Sequence, residues 1–258
     1  MPNKPKLIVA NWKMNLGHEF SSFLANDIAN GLRGCSLDNL KIVICPSFIS
    51  LKDVNEIFKK SGLNIKVGAQ NMFWETAGAY TGEIAPIFLK ELDCHYAIIG
   101  HSERRLYLHE TNKMINQKIK TALTEEITPI LCVGETQEER KDGAADYVIM
   151  GQLKNALEGI IFKADQKIIV AYEPTWVIGT GQVLSPEEVS RIVQLIKKYF
   201  VDHYSPEFAE DNLMVIYGGS INSRNIKSFA QQDIIDGFGV GGASLNADEF
   251  IRLIKSIL

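Results

Sequence analysis

A carboxylate, an imidazole and an ammonium each stand directly after a short apolar run, a set that could move a proton on a carbon next to a carbonyl. Glu173 follows Ile168-Ile169-Val170-Ala171-Tyr172 and precedes Pro174. Its backbone is therefore held extended and its side chain sits at a rigid strand end, as a positioned base requires. A rim carboxylate tied up in a salt bridge is the competing reading. His101 follows Ile98-Ile99-Gly100 and opens the helical stretch Ser102-Glu103-Arg104-Arg105. A neutral imidazole at a helix start can donate a hydrogen bond to a carbonyl, which suits the electrophile of an enolisation. His18, His109 and His203 fall in helical or polar segments and His95 precedes a strand, so these four read as ordinary side chains. Asn11 and Lys13 bracket Trp12 after the first run and offer an amide donor and a fixed positive charge. Read alone, that lysine is equally a solvated rim charge.

Glycine placement adds an anion. Eight of the 20 glycines (Gly179, Gly181, Gly218, Gly219, Gly237, Gly239, Gly241, Gly242) fall within 64 residues, which puts them in the last three loops. Bare backbone N–H groups there, ahead of helix starts, can cradle a phosphate, because glycine permits close approach. Tight turns are the alternative use. Gly237, Gly239 and Gly242 also match G-x-G-x-x-G, but that fingerprint belongs to an early strand and needs an acidic residue about 20 positions on. Only 16 residues follow Gly242. Walker A, H-E-x-x-H and G-x-S-x-G sequences are absent.

The elements that must position these groups are eight runs rich in Val and Ile: Leu7-Ala10, Ile42-Cys45, Ile65-Gly68, Ala97-Gly100, Pro129-Val133, Ile168-Tyr172, Leu213-Tyr217 and Gly237-Val240. They are continuously apolar, as parallel strands covered on both faces must be. Their starts average roughly 33 residues apart, the size of one strand–loop–helix unit. Eight units predict an α/β protein in which one domain over residues 1–258 closes into a single (β/α)8 barrel. A doubly wound open sheet, the other candidate, would need a chain reversal of which there is no sign. Ser185-Pro186-Glu187-Glu188 and Thr136 to Glu139 have the capping-box spacing of helix starts. In a parallel barrel the loops after the strands share one rim, so Asn11, Lys13, His101, Glu173, Gly218-Gly219-Ser220 and Gly241-Gly242 converge there, with Ser47, Gln70, Asn71 and Glu135.

Composition closes off other classes. Apolar residues make up 46% and charged residues 22%, which excludes a disordered chain. Net charge is −4, and basic residues pair only at places such as Lys59-Lys60 and Lys197-Lys198, so nucleic acid is not an expected partner. No stretch nears the ~18 apolar residues of a membrane span, and none has a signal-peptide core. Cys35, Cys45, Cys94 and Cys132 fit neither a zinc site nor a C-x-x-C pair, so reduced thiols and a cytoplasmic location are expected.

The segments Asn11-Trp12-Lys13-Met14-Asn15, Gly100-His101-Ser102-Glu103-Arg104-Arg105, Ala171 to Gly181, Tyr217-Gly218-Gly219-Ser220 and Val240 to Leu245 occur in order along the chain. With Gly68 to Asn71, Gly78 to Glu83 and Cys132 to Glu135, they make a chain that closely resembles the triosephosphate isomerase family from first strand to last helix. The resemblance implies a TIM barrel that interconverts dihydroxyacetone phosphate and glyceraldehyde 3-phosphate, in glycolysis and gluconeogenesis, with no cofactor and no metal. This family is itself the standard example of the barrel and of a glutamate base that works with a neutral histidine under a closing loop. By resemblance Glu173 is the base, His101 polarises the carbonyl, and Asn11 and Lys13 stabilise the oxyanion. Ser102 and Glu103 back up the site, and Glu103 holds Lys13. Gly179, Ser220, Gly241 and Gly242 bind phosphate. Pro174, Thr175, Trp176, Val177, Ile178, Gly179 and Thr180 form a lid, and Thr81, Gly82 and Glu83 lie in a loop that enters the other subunit of a homodimer.

Gly239 departs from the family, which carries there a leucine that clamps the base together with the residue matching Ile178. Its loss should leave Glu173 wetter, unless another side chain fills the gap. Thr175, Val177 and Leu16 are milder departures. Other chemistries on the same fold fit less well. An aldolase needs a Schiff-base lysine where the sixth run ends in Glu173, and a metal-dependent epimerase needs several rim histidines where only His101 stands. A non-catalytic barrel would have lost one of Asn11, Lys13, His101 or Glu173.

Overall fold

The apolar runs become strands because both of their faces find apolar surroundings. A computed structural model describes residues 5–177 and 181–258. Its strands are β1 (Lys6–Asn11), β2 (Leu40–Cys45), β3 (Ile65–Ala69), β4 (Tyr96–Ile99), β5 (Thr128–Val133), β6 (Ile168–Tyr172), β7 (Leu213–Tyr217) and β8 (Gly237–Val240). Each pairs with the next, and β8 returns beside β1, with Leu7 opposite Gly237 and Ala10 opposite Val240. The ring is closed and parallel, so the open-sheet alternative falls away.

Side chains alternate along each strand. Leu7, Val9, Val43, Cys45, Ile98, Ile130, Cys132, Ile169, Ala171 and Ile216 form one buried cluster, filling the barrel interior. Their neighbours, such as Ile8, Ile42, Ile44, Leu131 and Val170, form the larger cluster shared with the helices. Each such side chain contributes roughly 1.5–3 kcal/mol by leaving water.

The helices are α1 (His18–Gly31), α2 (Leu51–Ser61), α3 (Pro86–Glu91), α4 (Ser102–Tyr107), α5 (Asn112–Thr124), α6 (Gln137–Lys141), α7 (Ala145–Ala156), α8 (Pro186–His203), α9 (Pro206–Asp211), α10 (Ile226–Ala230) and α11 (Ala247–Lys255). Helix α8 buries Val189, Ile192, Val193, Ile196, Tyr199 and Phe200, one stripe at helical spacing. Its capping box forms: Ser185 Oγ accepts from Glu188 N, and Glu188 Oε2 accepts from Ser185 N at 3.3 Å. Thr136 and Glu139 do the same at α6.

Two departures from the regular unit bear on function. The connections after β4, β5 and β6 each carry two helices, the extra ones being the short α4, α6 and α9. The fourth run was expected to include Gly100, but β4 ends at Ile99. Gly100 turns the chain with φ at 75°, and this leaves His101 as the cap of α4. Among the described residues no helix is long and apolar enough to cross a membrane.

Candidate active site

Seven of the expected site residues reach one cavity of about 440 Å³ at the carboxyl ends of the strands: Asn11, Lys13, His101, Glu173, Ser220, Gly241 and Gly242. Asn11 closes β1, and its side-chain oxygen accepts from the Lys13 backbone N–H at 3.0 Å. Lys13 is held at φ 52°, a left-handed conformation that costs a residue with a Cβ free energy and that tends to persist where function over-determines it. Gln70, just past β3, pins this loop by donating to the carbonyls of Lys13 at 2.8 Å and Cys45 at 3.0 Å.

His101 caps α4 with its ring. Nδ1 accepts from the Glu103 backbone N–H at 3.2 Å, which assigns the ring proton to Nε2. Nε2 lies 3.5 Å from Glu173 Oε2, so the donor and the carboxylate face the same space. Glu103 acts twice, because its carboxylate also meets Lys13 Nζ at 2.5 Å. Gly100, behind the imidazole, donates to Glu110 Oε1 at 3.1 Å and accepts from Arg105 Nε at 2.8 Å. Ser102 lies outside the main cavity and lines a neighbouring depression with Gly100 and Arg105.

Glu173 is largely buried, and its Oε2 has no hydrogen-bond partner among the described residues. A buried carboxylate oxygen left unpaired is costly and suggests a proton to be accepted. The carboxylate rests on Gly218, where an added Cβ would come 2.5 Å from Glu173 Cγ and 2.9 Å from Oε1. Burial, and then the Glu173 carboxylate beside it, push the Cys132 thiol well above its ordinary range. At Gly239 an added Cβ would lie 3.2 Å from Gly218 Cα and 3.8 Å from Glu173 Oε1, and the glycine opens onto the cavity directly.

The segment after Glu173 is fastened at its start. Thr175 N and Oγ1 both donate to the Glu135 carbonyl, at 3.0 and 3.2 Å. Trp176 Nε1 and Tyr172 OH donate to Glu135 Oε1 at 3.1 and 3.2 Å, and Arg140 lies over the indole. Ser220 Oγ donates to the Val177 carbonyl at 2.9 Å. Ile178, Gly179 and Thr180 lie outside the described residues. Thr81, Gly82 and Glu83 are exposed, after Tyr80 whose ring lies 4.7 Å from that of Phe73. Among the described residues no cluster of three or more His, Cys, Asp or Glu could hold a metal.

Sequence reasoning placed Gln70 and Glu135 on the rim without giving them work, and did not single out Gly218, Cys132 or Glu110. Their position just past a strand was the available signal for Gln70, Glu135 and Gly218. Glu110 offered none, since a carboxylate ten residues after Gly100 reads as surface.

Fold and site together define a (β/α)8-barrel enzyme that has acid–base groups at one end of its cavity and bare amides at the other. The family model described as triosephosphate isomerase matches residues 6–257. The chain is 46% identical over 254 residues to the triosephosphate isomerase of Dictyoglomus turgidum, covering 97% of this chain and 99% of that one. Similar proteins of the same name occur in Dehalococcoides mccartyi (43% identity; 96% and 95% covered) and Caldanaerobacter subterraneus (39%; 96% and 98%). The chain belongs to the triosephosphate isomerase family.

Proposed function

We propose that the protein interconverts dihydroxyacetone phosphate and D-glyceraldehyde 3-phosphate by moving a proton between adjacent carbons. The observation that carries this reading is the unpartnered Glu173 Oε2 facing the protonated Nε2 of His101 at 3.5 Å. Glu173 takes the carbon-bound proton, and the electron pair runs into the carbonyl to give an enediolate. His101 Nε2–H donates to that oxygen and shuttles the hydroxyl proton. Lys13 and Asn11 face the developing oxyanion from β1, and a cation and an amide fixed in place cost no reorganisation during the reaction. Glu173 then returns the proton to the other carbon.

Gly241, Gly242 and Ser220 bind the phosphate, with backbone N–H groups at the start of the helical turn Gly242–Leu245 supporting the role. The segment from Pro174 acts as a lid that keeps water from the enediolate, which would otherwise expel phosphate. The protein works as a cytoplasmic homodimer through the Thr81–Glu83 loop. In support, Met14, Ile49, Tyr80 and Phe88 are exposed, more apolar surface than isolated surface positions usually carry. Loop truncation that left sedimentation unchanged would contradict this assembly.

The test is a coupled assay with glyceraldehyde 3-phosphate on wild type and Glu173→Gln. Turnover in the wild type and a loss of at least about 10³-fold in the variant are expected. Normal turnover in the variant would remove Glu173 as base, and no turnover in the wild type would remove the function.

A further inference from the structure

The opposite end of the barrel carries a second polar cavity, of about 140 Å³, at the amino-terminal ends of the strands. Lys41 and Lys167 both line it. Lys41 shares a face of β2 with the interior residues Val43 and Cys45, and Lys167 stands two positions before interior Ile169, so both stems run toward the barrel axis. The two ammonium groups sense each other: burial, and then the charge of Lys167, hold Lys41 below the usual lysine range. Neither lysine has an ion pair or hydrogen bond among the described residues. Tyr96 and Thr128, neighbours in the β4–β5 register, present hydroxyls to the same cavity, also without protein partners among the described residues.

Two cations and two hydroxyls converging without a counter-charge repel one another, and an anion seated among them would relieve that repulsion. Glu210 and Asp211, the end of α9, stand elsewhere on the rim, where carboxylates accept from hydroxyl donors. The floor, with Leu7 and Met214, is apolar. We infer that this mouth binds a small hydroxylated phosphomonoester, its phosphoryl group between Lys41, Lys167, Thr128 and Tyr96 and its hydroxyls toward Asp211. The site is separate from the Glu173 cavity, which lies at the other end of the strands and shares none of these residues.

Methyl NMR of methionine-labelled protein reads both ends at once, since Met214 lines the new cavity and Met14 follows Lys13. Titration with ribose 5-phosphate at constant ionic strength should move Met214 saturably, and ribose should not. Lys41→Gln with Lys167→Gln should weaken the Met214 response by at least about tenfold, the loss of two charge-assisted contacts. Lys41→Arg with Lys167→Arg should retain it, and isomerase turnover should stay unchanged in both double variants. A Met214 signal that stays still in the wild type, follows ribose equally, or responds undiminished in the glutamine variant overturns the inference. Movement of Met14 alone places the ligand only in the catalytic cavity and overturns it too.

Discussion

Gly218→Ala tests the geometry on which catalysis rests, because Gly218 has no catalytic atom of its own. Its new Cβ would lie 2.5 Å from Glu173 Cγ, where ordinary contact begins at 3.4 Å, so the base must retreat by about 0.9 Å. The backbone gives little room, since Gly218 N donates to the Tyr172 carbonyl at 2.8 Å and Glu173 N to the Val133 carbonyl at 2.7 Å. A misplacement of about 1 Å costs on the order of 10²-fold in rate, or about 2.7 kcal/mol of barrier. Gly239→Ala is the internal control: its tightest contact, 3.2 Å to Gly218 Cα, requires a shift of only about 0.2 Å. We expect kcat/KM to fall about 100-fold in Gly218→Ala with the melting temperature nearly kept, and to change less than about threefold in Gly239→Ala. Coupled-assay kinetics and calorimetry on both variants decide the matter. If Gly218→Ala keeps wild-type kcat/KM, or Gly239→Ala loses as much, the argument from the position of Glu173 is wrong.

Three further outcomes follow from named contacts. Trp176→Phe removes the 3.1 Å bond to Glu135; it should lower kcat/KM by up to about tenfold and raise the share of turnover lost as free inorganic phosphate, measured colorimetrically. Glu110→Gln leaves Lys118, 3.0 Å away and almost fully buried, without its carboxylate, and should cost about 3–5 kcal/mol in urea unfolding. The bidentate bonds from Arg191, 2.7 and 2.9 Å long, hold the Asp146 carboxyl below its usual range. A carboxyl lowered on folding stabilises above the unfolded value of about 3.9 and loses that contribution as pH falls through the folded one. Asp146→Asn should therefore cost under about 1 kcal/mol in urea unfolding at pH 7, a small loss at this exposed site, with the difference closing below about pH 3.

The strands were legible because burial on both faces leaves continuous apolar runs, and chemical groups placed just past a strand end fall on one rim once the ring closes. Residue type alone could not reveal what the ring closure creates. The positive φ of Lys13 is enforced by Gln70, fifty-seven positions away. Gly218 looked like a turn or phosphate glycine, but its missing side chain makes room for Glu173. The helices α4, α6 and α9 have five or six residues each, too few for an amphipathic period to register. Glu110 looked solvent-exposed because its partners, Gly100, Arg104 and Lys118, lie on three separate segments that only folding brings together.

The bond between Lys13 and Glu103 is also a mechanical element. A ring of eight strands resists stretching along its hydrogen-bonded circumference but can deform into an oval, which would alter distances across the mouth while breaking little. Glu103 spans that mouth as a chord from the loop after β4 to the loop after β1, and its own backbone N–H fixes the adjacent imidazole. The interval between cation and imidazole is thus gauged by one residue's covalent length plus one ionic contact. Breathing of the barrel moves both groups together, and the dimension on which the carbonyl depends stays constant while the wall around it flexes.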